Sequence, residues 1–425
     1  MGRIDEQDFD EKRLARRQRR KRSQLIAFII LGILVIVLVL GGVFGVHAVS
    51  VKLAEAKSAK KAELASNEAS AEESIVIETP QEPVIEPEEM TEEDVLSEIV
   101  EGCISEMSLE DKVAGLFIVT PEQLTGVETV VKAGSGTQDA LGKYAVGGLY
   151  YSPKNVKSEE QVSEMLKATD SMSKYPLFTV IKESGSEGST LTATVGVDDA
   201  MEATDSESAY NLGSAIAASM FKYGFNMDLA PGIDISENGA YGTDIDVVTA
   251  VTSGISKGLS ESGITSCVYD FPVSADASSG MATVDASKEE LTEGVYKSFI
   301  AAVSDGNAGA VMMSNASLPQ ITGDNTPASL SNVMIEDELR KEIGFKGVII
   351  TGALNQGAVT EYYTSEQAAI AAINAGADMI FLPEDFEAAY NGLLAAVQSG
   401  DISEERINDS LSRIYRIKYA DRAKK

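Results

Sequence analysis

The chain has 425 residues, with 35 Lys and Arg against 66 Asp and Glu, and a formal net charge of −31. That acidity excludes a general nucleic-acid binder, which must neutralise phosphates with basic side chains. A single histidine (His47) and two cysteines (Cys103 and Cys267) exclude His/Cys zinc sites and any chemistry that needs a histidine in the folded core. No metal or cofactor is expected.

Charge is distributed unevenly. Residues 1–24 hold nine Lys and Arg against five acids, whereas Leu25–Val51 contains no Lys, Arg, Asp or Glu. About 20 apolar residues suffice to cross a bilayer, and a basic flank stays on the cytoplasmic side. The segments therefore read as a cytoplasmic basic region (1–24) and a single membrane-spanning helix (25–47), with all later residues outside. A cleaved signal peptide is the rival reading, because Val46-His47-Ala48 is an acceptable cleavage site. Signal peptides, however, have apolar cores of only about 7–15 residues.

Residues 48–91 read as a stalk. Lys52–Glu73 is helix-prone with a thin apolar face, and Thr79-Pro80-Gln81-Glu82-Pro83 begins a Pro/Glu tract that is stiff and self-repelling. From residue 92 onward, short apolar runs alternate with amphipathic helices. The runs are Val113–Thr120, Val146–Tyr151, Leu177–Ile181, Met227–Ala230, Ile264–Tyr269, Gly309–Met313, Gly347–Thr351 and Met379–Leu382. Most lack polar alternation, as parallel strands buried on both faces do. Helices are expected at Ser158–Ser173, Ser206–Tyr223, Asp246–Ser262, Lys288–Ser304, Ser331–Glu342, Ser365–Ala375 and Asp385–Ser399. Glycine follows several of them, at Gly224, Gly263, Gly376 and Gly400. Eight such units over residues 92–425 predict an α/β fold, a (β/α)8 TIM-type barrel, with an open doubly wound sheet as the alternative.

In a barrel, chemistry sits just beyond the carboxyl ends of the strands. Those positions hold Lys182 and Glu183, Asp234, then Asp270, Ser274 and Asp276, Asn315, and finally Thr351, Gly352 and Asn355. A lone acid on a loop of so acidic a chain is usually solvated surface, so spacing alone assigns no catalytic pair.

The order of several segments resembles glycoside hydrolase family 3, in particular its β-N-acetylglucosaminidases. Met107-Ser108-Leu109-Glu110-Asp111-Lys112 resembles the family's opening motif, Val146-Gly147-Gly148-Leu149 with Asn155 its second, and Asp228-Leu229-Ala230-Pro231 with Asp234 its third. Pro327–Ser331, Leu339–Ile350 and Ala375-Gly376-Ala377-Asp378-Met379 continue the series. The resemblance covers nearly three quarters of the chain and implies a lone N-terminal-type barrel.

The catalytic motifs depart from the family. Where the resemblance implies a nucleophilic aspartate, the chain reads Thr351-Gly352-Ala353-Leu354. Where it implies a histidine acid/base, Tyr269-Asp270-Phe271-Pro272-Val273-Ser274 places Ser274. The sugar-binding loop reads Lys182-Glu183-Ser184-Gly185-Ser186, and the segment after the sixth strand reads Ser314-Asn315. No catalytic residue is expected at the family positions Gly352 and Ser274. Glu183, Asp270 and Asp276 remain candidates for a rebuilt acid pair. Lys182, Glu183, Tyr269, Asp270, Asn315 and Asn355 are candidates to line a ligand cleft. The expected product is a membrane-anchored, non-hydrolytic module that binds a peptidoglycan-type glycan or a cell-envelope protein. Hydrolysis of cell-wall sugars by the rebuilt pair is the alternative.

Overall fold

A computed structural model describes residues 91–186, 189–198 and 202–423. The segments 1–24 and 25–47 and nearly all of the stalk lie outside these residues. Among the described residues, no helix is long and apolar enough to cross a membrane.

The domain begins with Thr91, whose side chain accepts from the Asp94 N–H while the Asp94 carboxylate accepts from the Thr91 N–H. This reciprocal cap starts the helix Glu92–Glu106. Ten strands follow: β1 (Phe117–Val119), β2 (Gly148–Tyr150), β3 (Phe178–Ile181), β4 (Met227–Asp228), β5 (Thr265–Phe271), β6 (Ala282–Thr283), β7 (Ala310–Met313), β8 (Ala316–Ser317), β9 (Val348–Ile350) and β10 (Ile380–Phe381). Eight pair in parallel in the order β10-β1-β2-β3-β4-β5-β7-β9. A parallel bridge between Ile350 and Met379 joins the two ends, which makes the sheet a nearly closed barrel rather than an open one. The short pair β6–β8 lies outside that ring.

All eight apolar runs overlap a barrel strand, and seven contain theirs; β5 runs on past Tyr269 to Phe271. The first begins ahead of its strand: Val113 and Ala114 finish the helix Leu109–Ala114, which the Ser108 hydroxyl caps. The helix expected at Lys288–Ser304 is broken at Gly294, whose backbone leaves the helical region. Val333–Glu342 winds as a π-helix. Gly224, Gly376 and Gly400 take left-handed conformations at helix ends, which glycine adopts without a Cβ penalty.

Closure is reinforced at the amino ends of the strands. Asp378, fully buried just before β10, accepts from the Ile349 N–H at 2.9 Å, Arg340 at 2.6 Å, Arg413 at 2.9 Å and the Ser410 hydroxyl at 2.8 Å. One carboxylate thus ties β9, the π-helix and the last helix, Glu404–Ala423, to β10. The first and last helices are also joined, through Arg416 with Glu93 and Ser97. Cys103 and Cys267 are free thiols.

Removing one partner of a buried ion pair costs about 3–5 kcal/mol, because the remaining charge is left uncompensated. Asp378→Ala is therefore expected to lower the unfolding free energy by about that amount. Urea denaturation followed by circular dichroism measures it, with Lys341→Ala, at an exposed pair with Asp337, as a variant expected to show no measurable loss.

Candidate functional site

The carboxyl ends of the strands surround a cleft of about 260 Å³. Lys182 beyond β3, Tyr269 and Asp270 at the end of β5, Asn315 beyond β7 and Gly352 beyond β9 all line it. Five residues chosen from sequence thus share one opening. Asp270 and Gly352 stand at the same mouth, as the barrel register requires.

Two features of backbone shape this cleft. Among the described residues, Asp270 (φ 75°) and Leu382 (φ 45°) are the non-glycine residues with positive φ, and both line it. Such conformations cost about 1–3 kcal/mol and gather at functional sites. At Asp270 the pairing of β5 with β7 shifts register between Val268 and Phe271, a bulge that re-aims the side chain. Gly232, bridged to Tyr269, has no room for a Cβ, which would overlap the Tyr269 ring.

Tyr269 carries the Lys182 ammonium over its ring, 4.1 Å from the centroid. Tyr150 packs edge-on against Phe381, with ring centroids 5.3 Å apart. Burial raises the Asp270 carboxyl above its ordinary range, opposed by the Ser274 hydroxyl and the Lys182 charge. Beneath the cleft, Asp228 is fully buried, and burial holds its carboxyl well above the usual carboxylate range. Its Oδ1 accepts from the Glu183 N–H at 2.8 Å, while Oδ2 has no hydrogen-bond partner.

The remaining sequence candidates lie elsewhere. Glu183 is fully buried and turned away from the cleft. It accepts from the N–H groups of Ser184, Gly185, Leu191 and Thr192 and from the Thr192 hydroxyl. It therefore organises its own loop. Asp276 is exposed and accepts from the Ser278 N–H and hydroxyl in a local turn, which holds its carboxyl below the ordinary range. Asn355 is exposed outside the cleft, and its neighbour Gln356 takes the lining position. Gln356 accepts from Asn315 Nδ2 at 2.8 Å, and that amide also donates to the Ala353 carbonyl at 2.8 Å. Tyr150, Leu229, Met312, Phe381 and Leu382 complete much of the wall but, as strand ends, read as core in the sequence.

Gly352 is closely packed. Its N–H donates to the Ser329 hydroxyl at 2.8 Å, and a Cβ there would lie 2.9 Å from the Met313 carbonyl oxygen and 3.0 Å from the Asn315 amide. Ser274, at the implied acid/base position, is exposed.

A nearly closed parallel barrel with a strained, aromatic-lined cleft at the carboxyl ends of its strands is the class of fold that carries enzymes and their descendants. Residues 108–417 match the glycosyl hydrolase family 3 N-terminal domain, and the chain belongs to that family. It is similar to β-hexosaminidase A of Pseudoalteromonas piscicida, with 21% identity over 66% of this chain and 54% of that protein. A β-hexosaminidase of Idiomarina loihiensis is 26% identical over 63% of this chain and 86% of its own length. Among solved structures, a family 3 β-N-acetylglucosaminidase from Paenibacillus sp. str. FPU-7 superposes with a TM-score of 0.66 at 28% identity, covering 75% of this chain and 63% of that one. The chain thus spans about half the length of the Pseudoalteromonas relative.

Because overpacking costs about 1–3 kcal/mol, Gly232→Ala is expected to lower stability by about that much while displacing the Tyr269 ring. Urea denaturation gives the stability change, and a tyrosine near-ultraviolet circular dichroism signal unchanged from wild type would contradict the displacement.

Proposed function

We propose that this family 3 domain holds a cell-wall saccharide in its cleft without hydrolysing it. The observation that carries this reading is the count of carboxyl groups. Retaining and inverting glycosidases both need two, about 5–5.5 Å or 6.5–9.5 Å apart. Among the described residues that line the cleft, Asp270 alone supplies one. Glu183 is engaged within its loop, Asp276 faces solvent, and Gly352 carries no side chain. Ser274 would offer a hydroxyl that does not shuttle protons near neutral pH.

The domain is further proposed to stand outside a membrane on the stalk and span read at 48–91 and 25–47, with a peptidoglycan-type glycan or an envelope protein as its partner. The charge-free run Leu25–Val51 beside nine basic residues supports that placement. The relatives named as β-hexosaminidases favour the second reading, hydrolysis of a β-hexosaminide, which in this chain would need a rebuilt site that includes Asp270.

Turnover separates the two. The purified protein is expected to release no nitrophenol from p-nitrophenyl N-acetyl-β-D-glucosaminide, and Gly352→Asp is expected to be equally inactive. General acid assistance alone is worth about 10²–10⁴-fold, and the added Cβ has no room between Met313 and Asn315. Turnover by the unmodified protein that disappears in Asp270→Asn would establish the hydrolase instead. For topology, protease added to intact wall-stripped cells is expected to remove the acidic domain and leave a small basic stub. Protection of the domain would overturn the placement.

A further inference from the structure

Two groups on the cleft wall have polar capacity that the protein leaves unused. Lys182 places its ammonium over the Tyr269 ring, and its charge acts to lower the Asp270 and Asp228 carboxyls, but among the described residues it makes no ion pair at contact distance. Asn315 is 2% exposed, and both of its established hydrogen bonds come from Nδ2, so its Oδ1 is buried without a partner. Leaving a buried acceptor unsatisfied costs about 1–3 kcal/mol, so a ligand that completes it gains on binding.

We propose that the cleft selects saccharides bearing a carboxylate, with Lys182 taking the carboxylate and Asn315 Oδ1 accepting from a ring hydroxyl. This inference rests on the saccharide-binding reading above and deepens it. A sugar acid carries both complements on one ring: an anionic acceptor for the ammonium and hydroxyl donors for the amide oxygen. A neutral sugar satisfies Asn315 but gives Lys182 only a neutral acceptor, and charge-assisted hydrogen bonds are roughly twice as strong. A cationic sugar would set a second ammonium beside the first. Tyr150 and Phe381 line the same cleft and supply aromatic carbons against which ring C–H groups pack.

Asp270 is the charge on the wall that opposes an anion. Burial raises its carboxyl above the ordinary range, so its opposition to an anion weakens as the pH falls. Asp228 below is raised further by its burial.

D-glucuronate and D-glucose test the assignment, since they differ only in a carboxylate against a hydroxymethyl group. In calorimetric titrations of the full-length protein, glucuronate is expected to bind about tenfold more tightly, the ratio that an ionic in place of a neutral hydrogen bond gives. Lys182→Met and Lys182→Gln, each shown by thermal melting to be folded, are expected to bring the two sugars to near parity. Asn315→Leu is expected to weaken both. Equal affinities in the wild-type protein, or a preference unchanged in both Lys182 variants, would overturn the inference. Binding of an N-acetylglucosamine oligomer without any preference for glucuronate would overturn it while leaving the saccharide-binding reading intact. Failure to bind any of the three would overturn both.

Discussion

A barrel needs every strand to meet both neighbours; β10 pairs with β1, but it is only two residues long, and the seam against β9 holds a single bridge, Ile350 to Met379. So short a strand contributes few ladder bonds of its own. The deficit is met by groups just outside it. Asp378 and Met379 both donate their N–H to the Ile349 carbonyl, Thr351 donates its N–H to the Met379 carbonyl, and the Thr351 hydroxyl accepts from the Phe381 N–H. The Asp378 carboxylate then gathers Arg340, Arg413 and Ser410 around the same seam. Two guanidinium groups around a fully buried carboxylate replace its lost hydration, which is the condition for burying a charge at all.

The seam also fixes what the other end of the barrel can do. Because β9 is held against both β7 and β10, the backbone at Gly352 passes close to the Met313 carbonyl and the Asn315 amide. A carboxylate there would have to displace backbone, not only a flexible side chain. The Asn315 amide, donating to Ala353 and Gln356, fills that side of the mouth. The strained residues Asp270 and Leu382 lie on the remaining walls, where a rigid ring of strands can hold conformations that a loop would relax.

How far the sequence reveals this differs between scaffold and site. All eight barrel strands were legible because fully buried parallel strands are nearly continuous apolar runs. Lys182, Tyr269, Asp270, Asn315 and Gly352 were legible because each lies at a strand end or within two residues of it, where the barrel sets its direction. Asn355 and Asp276 lie farther along their loops, and local turns decide where they point. The Asp276–Ser278 hydrogen bonds are such a turn. Glu183 follows Lys182 directly, and consecutive side chains of an extended segment face opposite ways. Lys182 reaches the cleft, and Glu183 reaches the backbone N–H groups of its own loop. The apolar lining was hidden for another reason: Met312, Phe381 and Leu382 belong to runs that also build the core, and hydrophobicity does not mark which residue of a run reaches the opening.

Stability and chemistry thus occupy opposite ends of the same strands. The Asp378 cluster and the join between first and last helices lie at the amino ends, and neither shares a residue with the cleft wall. Glu183 and Asp228 show how acids near a mouth can serve its architecture. Glu183 has five donors directed at it, and Asp228 is buried with its proton favoured by desolvation. A carboxylate whose lone pairs are occupied by backbone N–H groups is a poor nucleophile and a poor base, whereas it is well suited to holding a loop in place. Glu183 and Asp228 are therefore spent on architecture, and the polar and aromatic groups left lining the cleft include the Asp270 carboxyl, the Lys182 ammonium, the Asn315 amide and the Tyr150 and Phe381 rings.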